Sequence, residues 1–224
     1  MTHEENSSLW YAVYKNGDRG LQHVGSYHSE SSRDADGHRI QDHRIVINGE
    51  GLHHRAHCRL VLERRAGRLA PLRVDYDEPG NESSITFDDG RMRATGAAQE
   101  HDGAPVPKDG MPTYGISMLA QTIYNQPESS LGFDAMVDAT GTVCGANAKL
   151  VSRGQTDKTP FPTVSKLWEV EWLSNEGTRR QAFYFTDEGI LSQADWGTTF
   201  ARLIDSEVEA TPSKSDSAEE DPGE

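Results

Sequence analysis

Apolar residues in this chain recur at every second position, in short blocks separated by turn-forming residues, from about residue 9 to residue 204. A period of two places successive side chains on opposite faces of an extended backbone, so each block reads as a half-buried β-strand. The separators are Asn16-Gly17, Gly49-Glu50-Gly51, Ala66-Gly67-Arg68, Glu78-Pro79-Gly80-Asn81, Asp88-Asp89-Gly90, Thr140-Gly141, Asn175-Glu176-Gly177 and Asp187-Glu188-Gly189. Links this short force antiparallel neighbours, because a parallel crossover needs a dozen residues or more. The pattern predicts a mainly β chain whose sheet of about ten strands curls into an open or closed barrel, since twisted sheets of that size do not stay flat.

One segment breaks the alternation. Residues 99–115 carry three prolines and three glycines and read as a long loop. Residues 116–126 follow, with Ile116, Leu119, Ala120 and Ile123 at helical spacing and Pro127 as a stop. This helix needs an apolar surface, and the mouth of the curled sheet provides one. The domain is expected over residues 9–205, between a disordered N-terminus at 1–8 and a disordered tail at 206–224. The stretch from Asp205 to Glu224 holds eight acidic residues and one lysine, net −7, half of the chain's −14. It is too polar to fold by itself.

That charge excludes the basic footprint of a nucleic-acid binder. No apolar run approaches the roughly 20 residues of a membrane helix. The opening MTHEENSS lacks the basic and apolar regions of a signal peptide, so a cytoplasmic location is expected. Cys58 and Cys144 form no metal spacing and no disulfide framework; two reduced thiols are expected, a single bridge being the alternative.

Three clusters suggest chemistry and yield structural readings. His53, His54, His57 and Cys58 are metal-ligand types, but on a strand His53 and His57 point one way and His54 and Cys58 the other, so they cannot meet at one ion. Asp75, Asp77, Glu78, Asp88 and Asp89 flank turns, where carboxylates bind backbone amides. Ser117 stands near a helix start, where its hydroxyl can cap free amides, and no nucleophile elbow surrounds it. No phosphate or dinucleotide loop is present. No metal and no cofactor are expected.

The remaining candidate is the lining of the curl. Trp10, Ala56, Cys58, Leu60, Leu72, Val74, Ile85, Phe87, Ala146, Ala148, Trp168 and Trp172 alternate toward one face. Its mixture of large and small side chains leaves room either for the helix or for a ligand. The side chains expected around such a ligand are Trp10, Tyr14, His54, Cys58, Leu60, Phe87, Tyr114, Met118, Ala146, Trp168 and Trp172.

The order of features resembles bacterial half-barrels of the lipoprotein-carrier superfamily, the LolA-like and LolB-like proteins, and similar bacterial β-rich domains. The residues that carry the resemblance are WYAVYKNGDRGL at 10–21, PTYG at 112–115 leading into the helix, KLWEVEW at 166–172 and DEGIL at 187–191. The resemblance implies an open, curved antiparallel sheet capped by helices, with acyl chains bound in the concavity. The chain differs in offering one helix where the carriers have several, and in showing no export signal or lipoprotein cysteine. The leading expectation is a lipocalin-like container for an apolar or amphipathic small molecule. The alternatives are an isomerase, cyclase or hydrolase using His54, Tyr14 or Tyr114 in the same cavity, and a protein-interaction module using a sheet edge or the acidic tail.

Overall fold

The computed structural model describes residues 7–18, 20–49, 51–65, 67–124, 130–154, 167–174, 180–186 and 189–212. Seven strands precede the loop: β1 (Ser7–Gly17), β2 (Gly20–Arg33), β3 (Arg39–Gly49), β4 (Leu52–Arg65), β5 (Arg68–Asp77), β6 (Ser83–Asp88) and β7 (Arg91–Gly96). Then come β8 (Gly110–Pro112), the helix α1 (Ile116–Tyr124), β9 (Ser130–Met136), β10 (Val143–Gly154), β11 (Leu167–Ser174), β12 (Arg180–Phe185), β13 (Leu191–Asp195), β14 (Thr199–Ile204) and a single helical turn, α2 (Glu207–Ala210). No described helix is long and apolar enough to cross a membrane.

All fourteen strands belong to one sheet, in the order β7-β6-β5-β4-β3-β2-β1-β14-β13-β12-β11-β10-β9-β8. Every neighbour pair is antiparallel except β8 with β9. The expected fold class holds, with more strands than the expected ten. Part of the excess is β8, three residues inside the stretch read as a loop. Strand β2 also runs on through Ser29–Arg33, which looked too polar for a strand. There Ser31 lies opposite Gln41, and their buried side chains hydrogen-bond at 2.7 Å, so polar groups face inward without being orphaned.

The sheet has two halves joined only through β1 and β14, where Trp10 to Lys15 pair with Ile204 to Thr199. It curls until its far ends face each other. Among the described residues no backbone ladder joins β8 to β5, β6 or β7, so side chains close the barrel. Helix α1 lies inside the curl against β9–β12, burying Ile116, Met118, Leu119 and Ala120. Gly115 just before it has no room for a side chain, since a Cβ there would lie 2.6 Å from Met111 Sδ and 3.3 Å from Leu60 Cδ1. The edge of β7 is covered by the chain that follows it. Met92 and Ala104 bond through N–H to carbonyl at 2.8 Å, Gly103 N–H returns to Met92 O at 2.8 Å, and Asp102 accepts from Ala94 N–H. The edge is thereby closed to further strands.

The seam is drawn together by Asp138, which follows β9 and is 1% exposed. Its carboxylate accepts from the Thr113 hydroxyl, from Tyr114 N–H at 3.2 Å and from the Cys58 thiol of β4 at 3.5 Å. Its carbonyl accepts from Ser83 Oγ of β6 at 2.9 Å. One residue therefore ties both ends of the sheet to the loop before α1. Burial pushes its carboxyl up from 3.8 to about 6, against the lowering effect of the Thr113 and Tyr114 hydrogen bonds. Both cysteines are free; Cys58 is buried and Cys144 half-buried.

The outer face of β1 and β2 is covered too. Part of the stretch expected to be unfolded forms α2, capped by Ser206, whose Oγ accepts from Glu209 N–H at 3.4 Å. Ala210 is fully buried, and its carbonyl lies 2.9 Å from His23 Nε2. Trp10 stacks on His28 at 4.0 Å and Tyr14 on His23 at 5.0 Å, on the side away from the barrel interior. The expectation that Trp10 and Tyr14 face inward is thus corrected: the interior positions of β1 are Tyr11 and Val13. The reason is that β1 is apolar on both faces, so alternation alone does not say which one points in.

Two outcomes follow from this packing. A Cβ at Gly25 would lie 2.0 Å from Val46 O, whereas Gly132 has open space. Gly25→Ala is expected to destabilise the fold by about 1–3 kcal/mol, as overpacking does, with Gly132→Ala near neutral in urea unfolding. Second, a carboxyl raised in the folded state contributes stability that is full below its unfolded value of 3.8 and lost as pH rises through about 6. Buried His43, lowered to about 4 by desolvation, acts in the opposite sense over much of that range. The Asp138 contribution is therefore read against Asp138→Asn. Between pH 4 and pH 7 the wild type is expected to lose about 2 kcal/mol relative to that variant. Parallel unfolding curves at all pH values would refute this.

Candidate functional site

Helix α1 fills only part of the barrel. Between the wall formed by β2–β4 and the wall formed by β12–β14 lies a cavity of about 300 Å³. Tyr27, Ile45, Ile47, Leu52 and His54 form the first wall. Gln181, Phe183, Leu191 and Ala194 form the second, continued by Trp196, Thr198 and Thr199 around the β13–β14 turn. Thr113, Tyr114 and Ser117 approach from the start of α1.

Strand register orders these residues along the barrel axis. The β1–β2 hairpin at Gly17–Gly20, the β3–β4 hairpin at Gly49–Leu52 and the β13–β14 turn around Trp196 gather at one end of the barrel, because Lys15 pairs with both Gln22 and Thr199 and because Gly25 lies opposite Ile47, itself opposite His54. Strand β12 begins at this end, since Ala182 lies opposite Asp195. By register Gln181, Thr198 and Thr199 are nearest this end, His54 stands level with Ile47, Ala194 and Phe183, and Tyr27, Ile45 and Leu191 lie deeper. Polar groups occur at both levels of the cavity, Gln181 and Thr199 beside Leu52 and Trp196 at this end and Tyr27, Thr113 and Tyr114 further in, with apolar side chains between them.

The cavity carries one organised ionisable group. His54 Nδ1 is 3.0 Å from Glu78 Oε1, and its side chain is 29% exposed. Glu78 Oε2 accepts from Tyr76 O–H at 2.9 Å and from Asn81 Nδ2 at 3.5 Å. Partial burial raises the Glu78 carboxyl, but the hydrogen bonds from Tyr76 and His54 outweigh it and hold the group below the usual carboxylate range. Burial and the Glu78 hydrogen bond push the Tyr76 hydroxyl well up, so it stays a donor. On the second wall, Gln181 Oε1 accepts from Trp172 Nε1–H at 3.1 Å.

A second, deeper pair stands behind the wall. Tyr27 O–H and His43 Nδ1 are 2.8 Å apart, and His43 also lies beside the Tyr114 ring, with centroids 5.6 Å apart. Burial lowers His43 to about 4, so the ring is neutral at neutral pH. Its Nε2 has no hydrogen-bond partner among the described residues.

Of the side chains expected around a ligand, His54 and Tyr114 line this cavity. Cys58, Leu60, Phe87, Met118, Ala146 and Trp172 are buried in the packed core. Trp172 acts on the cavity through Gln181. Trp10 and Tyr14 are on the outer face, as described above. Trp168 pairs with Phe185 in the β11–β12 ladder, and its side chain lies outside the described residues. His53 and His57 do not join His54: His57 Nε2 lies 3.0 Å from both carboxylate oxygens of Asp42. Among the described residues, one group of acids and histidine converges, Asp34, Asp36 and His38. The Asp34 carboxylate there binds the backbone amides of Asp36 and His38, which is the work of a turn.

Sequence reasoning missed the β12–β14 wall, Tyr27 and Asp138. A buried carboxylate after a strand has the same local signature as an exposed turn aspartate. Glu78 was visible as a turn residue, but its bond to His54 crosses two strands and leaves no mark in spacing.

Neither a family model nor a curated protein matches this sequence. Among solved structures, a β-barrel-like protein of domain of unknown function DUF1849 from Brucella abortus is similar, with a TM-score of 0.58 at 9% identity over 91% of this chain and 98% of that one. At that identity the likeness is one of fold. It supports a barrel-like β domain and does not single out the lipoprotein carriers.

Proposed function

We propose that this chain binds an apolar or amphipathic small molecule in the cavity between β2–β4 and β12–β14. The observation that carries this reading is a space of about 300 Å³ walled mainly by apolar side chains with a few polar groups among them. Packed cores hold few voids larger than a water molecule. Small-molecule sites begin at about this size and pair apolar walls with a few polar groups. The protein-interaction reading through a sheet edge is weakened by the loop that already covers β7. An enzymatic reading in the same cavity keeps one observation in its favour. His54 is oriented by a carboxylate through Nδ1, the arrangement that general-base histidines use.

Binding is tested by thermal unfolding with a panel of medium-chain amphiphiles and small aromatics. A ligand at 100 times its Kd is expected to stabilise the fold by about 2.7 kcal/mol. Ala194, buried at 3% exposure on the cavity wall, supplies the control. Ala194→Phe is expected to fill the space and abolish the shift while the unliganded protein stays folded. A panel without any shift, or a shift that survives Ala194→Phe, would end this reading.

A further inference from the structure

The polar groups of the cavity specify what the ligand carries at its polar end. We propose that the cavity takes an uncharged amphiphile headed by a hydroxyl group, an alcohol or phenol, whose O–H donates to His54 Nε2. This rests on the cavity being the ligand site.

The argument starts from Glu78. Both of its oxygens are engaged, one by His54 Nδ1 and the other by Tyr76 and Asn81. A carboxylate accepts but does not donate, so it fixes the proton of a neutral His54 ring on Nδ1. Nε2 then holds a lone pair, and His54 lines the cavity with no other hydrogen bond among the described residues. A group that meets it must be a donor. Gln181 presents the complementary case. Its Oε1 is taken by Trp172, which leaves its amide N–H groups as donors in the same cavity. The Thr198 and Thr199 hydroxyls can serve in either sense. A lining offering one fixed acceptor and one fixed donor suits a head group that both donates and accepts, as a hydroxyl does.

Charge excludes the alternatives. Among the described residues, no Lys, Arg, Asp or Glu lines the cavity. An anionic head would meet the Nε2 lone pair with the Glu78 charge directly behind it and no cation to compensate. A cationic head would find no free carboxylate, because the Glu78 oxygens are occupied on the far side of the ring. An ether or ester lacks the proton that Nε2 requires. Phe183, level with His54, and the deeper Ile45 and Leu191 receive the apolar part of the molecule.

The test uses the full chain at pH 8 and four probes with the same ten-carbon tail: 1-decanol, decyl methyl ether, decanoate and decyltrimethylammonium. Affinities are read from the fluorescence of Trp196, which lines the cavity. Decanol is expected to bind about tenfold more tightly than the ether, the effect of one hydrogen bond, and more tightly than either ion. His54→Phe is expected to bring decanol down to the ether while the ether is unchanged. In the unmodified chain, decanol and not the ether should shift the His54 Nε2 resonance in nitrogen-15 spectra. Glu78 is a positioning residue, and Glu78→Gln should bring up the other imidazole tautomer in those spectra as decanol weakens. Equal affinity across the four probes, preference for decanoate, or a decanol preference that survives His54→Phe would overturn the head-group assignment and leave cavity binding standing. Failure of all four to bind, with the chain folded, would overturn both.

Discussion

A single buried carboxylate, Asp138, holds the two ends of this sheet together. Fourteen strands hydrogen-bonded in one row do not by themselves make a closed vessel, and here the first and last strands of the row never pair. The seam depends on bonds from Asp138 to Cys58 on one side and to Thr113 and Tyr114 on the other. An ionised group without partners in such a place would be very costly, and its several hydrogen bonds make the burial tolerable. The same residue sets the start of α1, because Tyr114 stands immediately before Gly115 and the helix. That contact anchors the chain where it enters α1, and packing against β9–β12 places the rest of the helix.

The space is a matter of division. The interior is wide enough for one helix and something more. The β9–β12 side holds α1 and is packed, with Trp172, Phe133, Ala146 and Ala148 buried around it. The β2–β4 and β12–β14 walls stand apart, and the cavity lies between them. Small side chains on β10 make room for the helix, so they do not mark the ligand region as their size suggested. A filled core and an open cavity are both present, in different sectors of the same barrel.

Fold class was legible in the sequence because it depends on local spacing. Alternation and turn residues gave the antiparallel sheet and most strand limits, and helical spacing from Ile116 gave α1. What stayed hidden depends on contacts between distant segments. Trp10 and Tyr14 could not be assigned to a face, because β1 is apolar on both sides and the residues that cover its outer side lie some 190 positions later, in α2. The His54–Glu78 pair joins a strand to a turn 24 residues away. Asp138 is one aspartate among many beside a turn, and nothing in its neighbours marks it as buried. The candidate site was therefore legible at His54 and Tyr114, while its second wall was not.

The sheet's row order also governs how the chain can be assembled. Each strand except one pair lies beside its neighbour in sequence, so two meanders can zip up locally, with short loops to close. The exception is β1 against β14, which joins the first strand of the sheet to its last in sequence. During synthesis the first meander is complete long before β14 leaves the ribosome, and until then β1 is a bare edge, apolar on both faces. The last strand of this sheet in sequence is thus the one that joins two half-sheets into a single container, and loss of β14 would leave β1 and β13 without their common partner.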